Sequence, residues 1–406
     1  MSEPEPILRN LLKSLFAPSG SRAGNGKLLR LPPPEPDYGR ALERSTRNLI
    51  QRQISLDRER AEAHILLPEL LDHRPERQEL LVRNDRRFQT WGALELLLDR
   101  GRGEILGSAR ESERLAKLAL TLCGQLDGDY YGASRIEDMR ARAWSCIAES
   151  RRLRSGFAGA EAALASAHEH LLAGTGDTLE RALILDLEAS LRCNQRRFDE
   201  AKRLLNQATE IFLENGEDQR AGLSLVNLAN VHLAEGNARR ALSLLQETMR
   251  RIDGEREPRL LLAARHSLID SLIAAGRYME ARGLLIRTRP LYRQCPDGWT
   301  QSHLRWIRGK VALGFHQGAD AEPDLIGARE GFLVLGSLFE AGRVALDLAT
   351  LYTRQDRASD LRRLATEAQV ELQACGAGFE AQAAASFVRQ VEGAQQELAQ
   401  AAVAFE

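Results

Sequence analysis

Lysine is scarce in this chain. Five residues (Lys13, Lys27, Lys117, Lys202 and Lys310) leave arginine to carry nearly all of the positive charge. With a formal net charge of −1, nothing suggests a global electrostatic draw to nucleic acid or to a membrane surface. The arginine bias reads as composition rather than as a binding strategy. Aromatic residues make up only 5%, which weakens any base-stacking role. The five cysteines (Cys123, Cys146, Cys193, Cys295 and Cys375) are scattered, and an odd, dispersed set is a poor disulfide or zinc framework. No metal or other cofactor is expected. Long apolar runs are missing too, so no membrane span is expected. Glu3 and Glu5 stand where a secretory signal would be basic, and the expected location is cytoplasmic.

A phosphate-binding loop also fails. The stretch GSRAGNGKL (residues 20–28) supplies Gly26 and Lys27. The first glycine of the motif falls on Ser21, and the magnesium-binding hydroxyl falls on Leu28. No strand-like run precedes it, so the stretch reads as flexible linker.

What is present is helical periodicity. Residues 1–16 hold a short amphipathic helix, with Ile7, Leu8, Leu11, Leu12, Leu15 and Phe16 on one face. Residues 17–37 are a Gly/Pro-rich linker, and 38–84 a charged N-terminal helical region. Residues 85–370 form a repeat array, and 371–406 a capping helix and tail. The repeat shows in SGFAGAEAAL (155–164), RRFDEAKRLL (196–205), GNARRALSLL (236–245) and GRYMEARGLL (276–285). Each is a turn followed by a helix start with a fixed alanine: Ala160, Ala201, Ala241 and Ala281, spaced 41, 40 and 40 residues apart. Ala321 and Leu361 continue the phase. Twelve residues earlier stand Ala148, Ala189, Ala229, Ile269, Gly309 and Ala349. Four residues later stand Leu164, Leu205, Leu245, Leu285, Leu325 and Ala365. Small residues where helices cross, with large ones in the seam, make a helical hairpin. The spacing predicts helices near 139–154 and 160–173, repeated every 40 residues or so, and an all-α chain.

At Trp144, Ala148, Ala160, Leu164 and Ala167 the chain resembles the tetratricopeptide repeat family, with Gly309 and Tyr352 matching in later units. Arg265 and Arg305 depart from the usual Trp, Glu188 and Arg308 from the usual Leu, and Pro323 falls inside an expected second helix. Units of about 40 residues look like those of bacterial signal-responsive regulators. RNDRRFQTWGALELLL, YGASRIEDMRARAW and REPRLLLAARHSL look like an uncharacterised group of bacterial repeat proteins. Some of that group carry an anti-sigma-like zinc segment. Residues 1–80 hold no Cys and only His64 and His73, so that function does not carry over.

The resemblance implies a right-handed superhelical solenoid of antiparallel helix pairs, with the first helix of each pair lining the concave face. In that family the inner positions fall one and five residues after the Trp place. The implied partner surface is therefore Ser145, Glu149, Asp186, Ser190, Val226, Asn230, His266, Asp270, Trp306 and Lys310. Such a face suits a protein or peptide segment held by hydrogen bonds and one aromatic anchor. The resulting expectation is a non-enzymatic interaction scaffold or adaptor in bacterial regulation. The alternative is a transcription-related regulator contacting RNA polymerase machinery or nucleic acid through its Arg-rich N-terminal part. The interleaved acids Glu137, Asp138 and Glu149 make the Arg140–Arg154 cluster read as a salt-bridged face, which disfavours nucleic acid. His266 and Asp270 at i,i+4 have the spacing of a base and its orienter, but no nucleophile accompanies them, so no enzyme activity is expected.

Lys27→Ala is expected to change nothing in nucleotide binding. Saturable ATP binding by the parent chain that disappears in this variant, measured by calorimetry, would restore the phosphate-loop reading.

Overall fold

The computed structural model describes residues 38–405; the helix expected within residues 1–16, the linker at 17–37 and the phosphate-loop-like stretch within it lie outside them. By its contacts the chain divides into two units, Met1–Ile54 and Ser55–Glu406. The first described element is a long helix, α1 (Tyr38–Leu71). Then come α2 (Pro75–Asn84), a short 3-10 turn (Arg86–Phe88), α3 (Trp91–Glu104), α4 (Ala109–Cys123) and the single-turn α5 (Gly128–Tyr131). The strong repeats follow as helix pairs: α6 (Ala133–Leu153) with α7 (Phe157–Ala173), and α8 (Thr178–Asn194) with α9 (Phe198–Glu214). Next are α10 (Asp218–Ala234) with α11 (Ala238–Thr248), and α12 (Pro258–Ala274) with α13 (Tyr278–Gln294). Last are α14 (Gly298–Gly314) with α15 (Gly318–Val334), α16 (Leu338–Arg354) with α17 (Ala358–Ala374), and α18 (Gly378–Phe405). No strand occurs among the described residues. The chain is an all-α, tetratricopeptide-like array of antiparallel helix pairs, each packed on the next.

The first helices begin at 178, 218, 258, 298, 338 and 378, an unbroken 40-residue step. α18 falls on that step, so the C-terminal segment starts as the first helix of a further unit and continues as helix to Phe405. α3 and α4 pack as a further helix pair ahead of the strong repeats.

The turn inside each pair is built by backbone geometry. One residue adopts the left-handed conformation, and the next amide donates back to the carbonyl five residues earlier. These bonds include Arg197 to Arg192 (2.8 Å), Asn237 to His232 (2.8 Å), Arg277 to Leu272 (2.8 Å) and Gln317 to Ala312 (3.0 Å). Gly236 and Gly276 fill the left-handed place in two units. Ser155, Arg196, His316 and Asp356 fill it in others, with φ of 62°, 60°, 58° and 54°. A side chain there costs about 1–2 kcal/mol, so the array supports this turn even where glycine is missing.

The crossing residues are buried as their spacing predicts. Ala160, Ala201, Ala241, Ala281 and Ala321 are enclosed, as are Ala148, Ala189, Ala229, Ile269 and Ala349. A methyl group added at Gly309 would lie 2.6 Å from Leu325 Cγ, which shows how closely α14 and α15 approach. Pro323 sits inside α15 and Pro290 inside α13, and both helices run through them.

Ala241→Leu is expected to overpack the α10–α11 crossing, where Ala241 is 0% exposed, and to destabilise the fold by about 1–3 kcal/mol. Coincident thermal melts of variant and parent would place residue 241 outside a packed crossing.

Candidate functional site

The first helices converge on a partly open cavity of about 560 Å³, in which Asn230 is exposed. α6 contributes Arg152, α8 Ser190, Cys193 and Asn194, and α10 Asn227 and Asn230. α12 contributes His266 and Asp270, α14 Trp299, His303, Trp306 and Lys310, and α16 Phe339, Glu340 and Arg343. Arg196 and Glu380 also line it, as do Phe198 and Leu205 of α9.

Contacts between helices far apart in the chain partly enclose this space. The Phe339 amide donates to Ser155 Oγ at 2.8 Å, and the Phe157 and Phe339 rings meet edge to face at 5.5 Å. Arg196 donates to Glu380 at 3.1 Å and lies 3.7 Å from the centre of the Phe379 ring. The two left-handed residues without a glycine that come first in the array, Ser155 and Arg196, therefore both make closure contacts. Their side chains reach α16 and α18 from the turns that open α7 and α9.

Charged groups in and behind the wall are paired. Lys310 donates to Asp270, and Trp306 Nε1 donates to Asp347 at 2.6 Å. Asp186 accepts from Ser224 at 2.6 Å and from Asn227 at 2.9 Å. Arg152 forks onto Glu149 and donates to Asn194 at 3.0 Å. Arg343 pairs with Glu340 at 3.0 Å and lies over the Trp306 ring. His266 Nδ1 hydrogen-bonds Tyr292 Oη at 2.7 Å, so the i,i+4 residues His266 and Asp270 each take a different partner. His303 packs among Phe332, Trp299, His266 and Trp306, with ring centres 4.9–5.8 Å apart.

These surroundings set the protonation states. Burial, with His303 and Lys310 nearby, pushes His266 down to about 3. Burial, with Arg343 and Lys310 nearby, pushes His303 down to about 3 as well. Both imidazoles are neutral at neutral pH. Asp186 is pushed up to about 6 by burial, against its two hydrogen bonds. Burial raises the Cys193 thiol to about 11, so it is not an activated nucleophile. Among the described residues no group of His, Cys, Asp or Glu side chains is arranged to hold a metal ion. No described helix is long and apolar enough to cross a membrane.

Of the residues implied by the repeat pattern, Ser190, Asn230, His266, Asp270, Trp306 and Lys310 line the cavity. Ser145, Glu149 and Asp186 do not. Ser145 bonds the Ala141 carbonyl, Glu149 holds Arg152, and Asp186 ties α8 to α10. Val226 is buried. Trp306 is 7% exposed and packs edge to face on Phe332, so it is a wall of the cavity rather than a protruding anchor. Arg152, His303 and Arg343 were missed because the family rule stops at two positions per helix. A helix face recurs every three to four residues, and extending the stripe from two before to nine after the Trp place finds His303, Arg343 and Asn194. The Arg140–Arg154 cluster is ion-paired throughout: Arg140 to Glu137, Arg142 to Glu180, Arg151 and Arg154 to Glu113, and Arg152 to Glu149.

No protein-family model matches the chain, and no curated protein does. Among solved structures it is similar to a Rap protein complexed with competence and sporulation factor, at 14% identity and a TM-score of 0.49, covering 85% of this chain and 99% of that one. It is also similar to aspartyl phosphate phosphatase F from Bacillus subtilis, at 12% identity and a TM-score of 0.41, covering 75% and 94%. A third is PilF of Pseudomonas aeruginosa, at 17% identity and a TM-score of 0.35, covering 61% and 95%.

His303 gives a pH test. Its folded-state value lies below that of the unfolded chain, so between pH 6.5 and 4 the unfolded state binds the extra proton. Its contribution to stability is present above the unfolded value and is lost as the pH falls. Asp186 has the opposite sign: its raised value favours the fold as the pH drops from about 6 to 4. His303→Phe is expected to flatten the dependence of the melting temperature on pH between 6.5 and 4. Identical slopes in variant and parent would show that His303 is not held neutral.

Proposed function

We propose that this chain is a non-enzymatic adaptor that holds a protein or peptide segment inside its repeat array and acts in bacterial regulation in the cytoplasm. The observation that carries this reading is the lining of the cavity. Asn230 presents its whole amide along one part, and Asn227 and Asn194 keep the oxygen and the nitrogen that their bonds to Asp186 and Arg152 do not use, beside aromatic rings from Trp299, His303 and Trp306. Asparagine both donates and accepts, which matches the alternating N–H and C=O groups of an extended peptide. The aromatic part offers apolar contact for one or two side chains. A volume of about 560 Å³ suits a short segment.

The non-enzymatic part is supported by how the reactive groups are occupied. Asp270 is spent on Lys310, Asp347 on Trp306 and His266 on Tyr292. The regulatory and bacterial part rests on the resemblance of these long units to those of signal-responsive regulators.

Peptides selected for binding from a random display library provide the test. Selected peptides are expected to lose at least tenfold in affinity against Asn230→Trp and Ser190→Trp, which fill the cavity from α10 and α8. The melting temperatures of both variants are expected to stay near that of the parent. Peptides that bind parent and both folded variants equally would remove the cavity from the proposed function.

A further inference from the structure

Between residues 236 and 310 the chain carries fifteen basic and seven acidic side chains, although its net charge as a whole is −1. Much of this excess sits on α13, the second helix of its pair, away from the cavity-lining helices. Arg282, Arg287, Arg289 and Arg293 are all exposed there. The one acid on α13, Glu280, is taken by Arg277 at 2.6 Å. None of the four forms an ion pair among the described residues; Arg282 lies over the Phe315 ring. This contrasts with the Arg140–Arg154 cluster, where every arginine has a carboxylate.

The unpaired arginines are ordered. Met279, Arg282, Ile286, Arg289 and Arg293 follow one another at spacings of three, four, three and four, so they form one stripe. The stripe runs about 20 Å along the helix at 1.5 Å per residue. Its two apolar members are open, Met279 at 72% and Ile286 at 50% exposure. At the far end Arg289 and Arg293 rim a surface pocket of about 280 Å³, together with Arg308 of α14. Leu285, Tyr292 and Leu304 line the same pocket.

We infer that this face of α13 is a docking surface for an acidic segment of a partner protein that carries apolar residues among its carboxylates. The guanidinium fork matches a carboxylate with two parallel hydrogen bonds. Alternating apolar and cationic positions at helical spacing match a segment with alternating apolar and acidic ones. Nucleic acid fits less well. A phosphate backbone has no use for Met279 and Ile286, and the stripe has no exposed aromatic ring on which a base would stack. The surface is separate from the cavity, so it provides a second contact whatever the cavity holds.

The test uses the full chain and fluorescence anisotropy. Three labelled probes are compared: a 15-residue peptide of Glu, Leu and Ala with its glutamates and leucines on one helical face, the same peptide with Gln for Glu, and a 15-nucleotide single-stranded DNA. The Glu peptide is expected to bind, and to bind more tightly than the other two. Its affinity is expected to fall at least tenfold in Arg289→Glu/Arg293→Glu and to fall measurably in Met279→Ser/Ile286→Ser. The control Arg181→Glu/Arg203→Glu, with the same change in net charge on α8 and α9, is expected to bind like the parent. Matching circular dichroism melts establish that each variant folds. Should the charge reversal unfold the chain, Arg289→Gln/Arg293→Gln is expected to show the same loss in a smaller measure. Absence of binding by the Glu peptide, equal binding of the Gln peptide, tighter binding of the DNA, or an equal loss in the control would each overturn the proposal.

Discussion

How near two helices of a pair can lie is set by the side chains at their crossing, and most of this structure follows from that distance. Ala241 and its counterparts remove bulk at one fixed point per unit, and Leu245 and its counterparts fill the seam one turn later. Where Gly309 replaces the small residue of the first helix, the partner leucine fills the space a methyl group would need. Because the crossing recurs at constant phase, each unit hands the next the same packing surface. A solenoid has no central core, so its stability is a sum of such neighbouring contacts. The turns belong to the same constraint. A left-handed residue in a fixed place reverses the chain within a few residues, which holds the two helices in register.

Long-range contacts add what a nearest-neighbour array lacks. The Ser155–Phe339 hydrogen bond and the Arg196–Glu380 ion pair each span 184 residues. They join the early units to the late ones and turn an inner face into a cavity with walls. Enclosure changes the chemistry of that face. A mixed polar surface open to water would leave its carboxylates and imidazoles near their ordinary values. Here burial lifts Asp186 and depresses His266 and His303, and each charge is matched by a nearby partner. Such a network fixes side chains in place, because an unmatched charge in this setting is costly.

The architecture was legible in the sequence and the closure was not. The alanine phase is a local, periodic signal, and the helices begin within about three residues of where it places them, except α6, which starts at Ala133 rather than near 139. Six of the ten proposed site residues line the cavity, because they follow from helix geometry once the phase is known, and Val226 is buried instead. Ser145, Glu149 and Asp186 do not line it, because neighbours that the repeat pattern does not encode claim their polar atoms. Asp186 is the clearest case: Ser224 and Asn227, both on α10, take both of its oxygens. Arg196 and Glu380 carry no sequence signal of their pairing, since nothing in a repeat predicts which distant unit will face it. The arginine-rich composition misled in one respect. Read as a whole-chain bias it conveys nothing, but sorted by partner it separates the paired cluster of α6 from the unpaired stripe of α13.

Arginine suits both settings for different reasons. Inside, Arg196 lies over the Phe379 ring and Arg343 over Trp306 and Phe339, while both also reach carboxylates. A planar, weakly hydrated cation can do both at once, where an ammonium would need a full shell of acceptors. The one cavity lysine, Lys310, has Asp270 as its acceptor and the Trp306 ring nearby. Outside, on α13, the same group has rings or water but no carboxylate. The interior is thus electrostatically satisfied before anything binds, and a ligand there must gain by exchanging water for amide and aromatic contacts rather than by neutralising charge. The α13 surface is in the opposite condition, with its charge unmatched and its apolar side chains exposed. Two surfaces with such different requirements would select different chemistry, and the fold keeps them apart by placing one mainly on the first helices of its pairs and the other on a second helix.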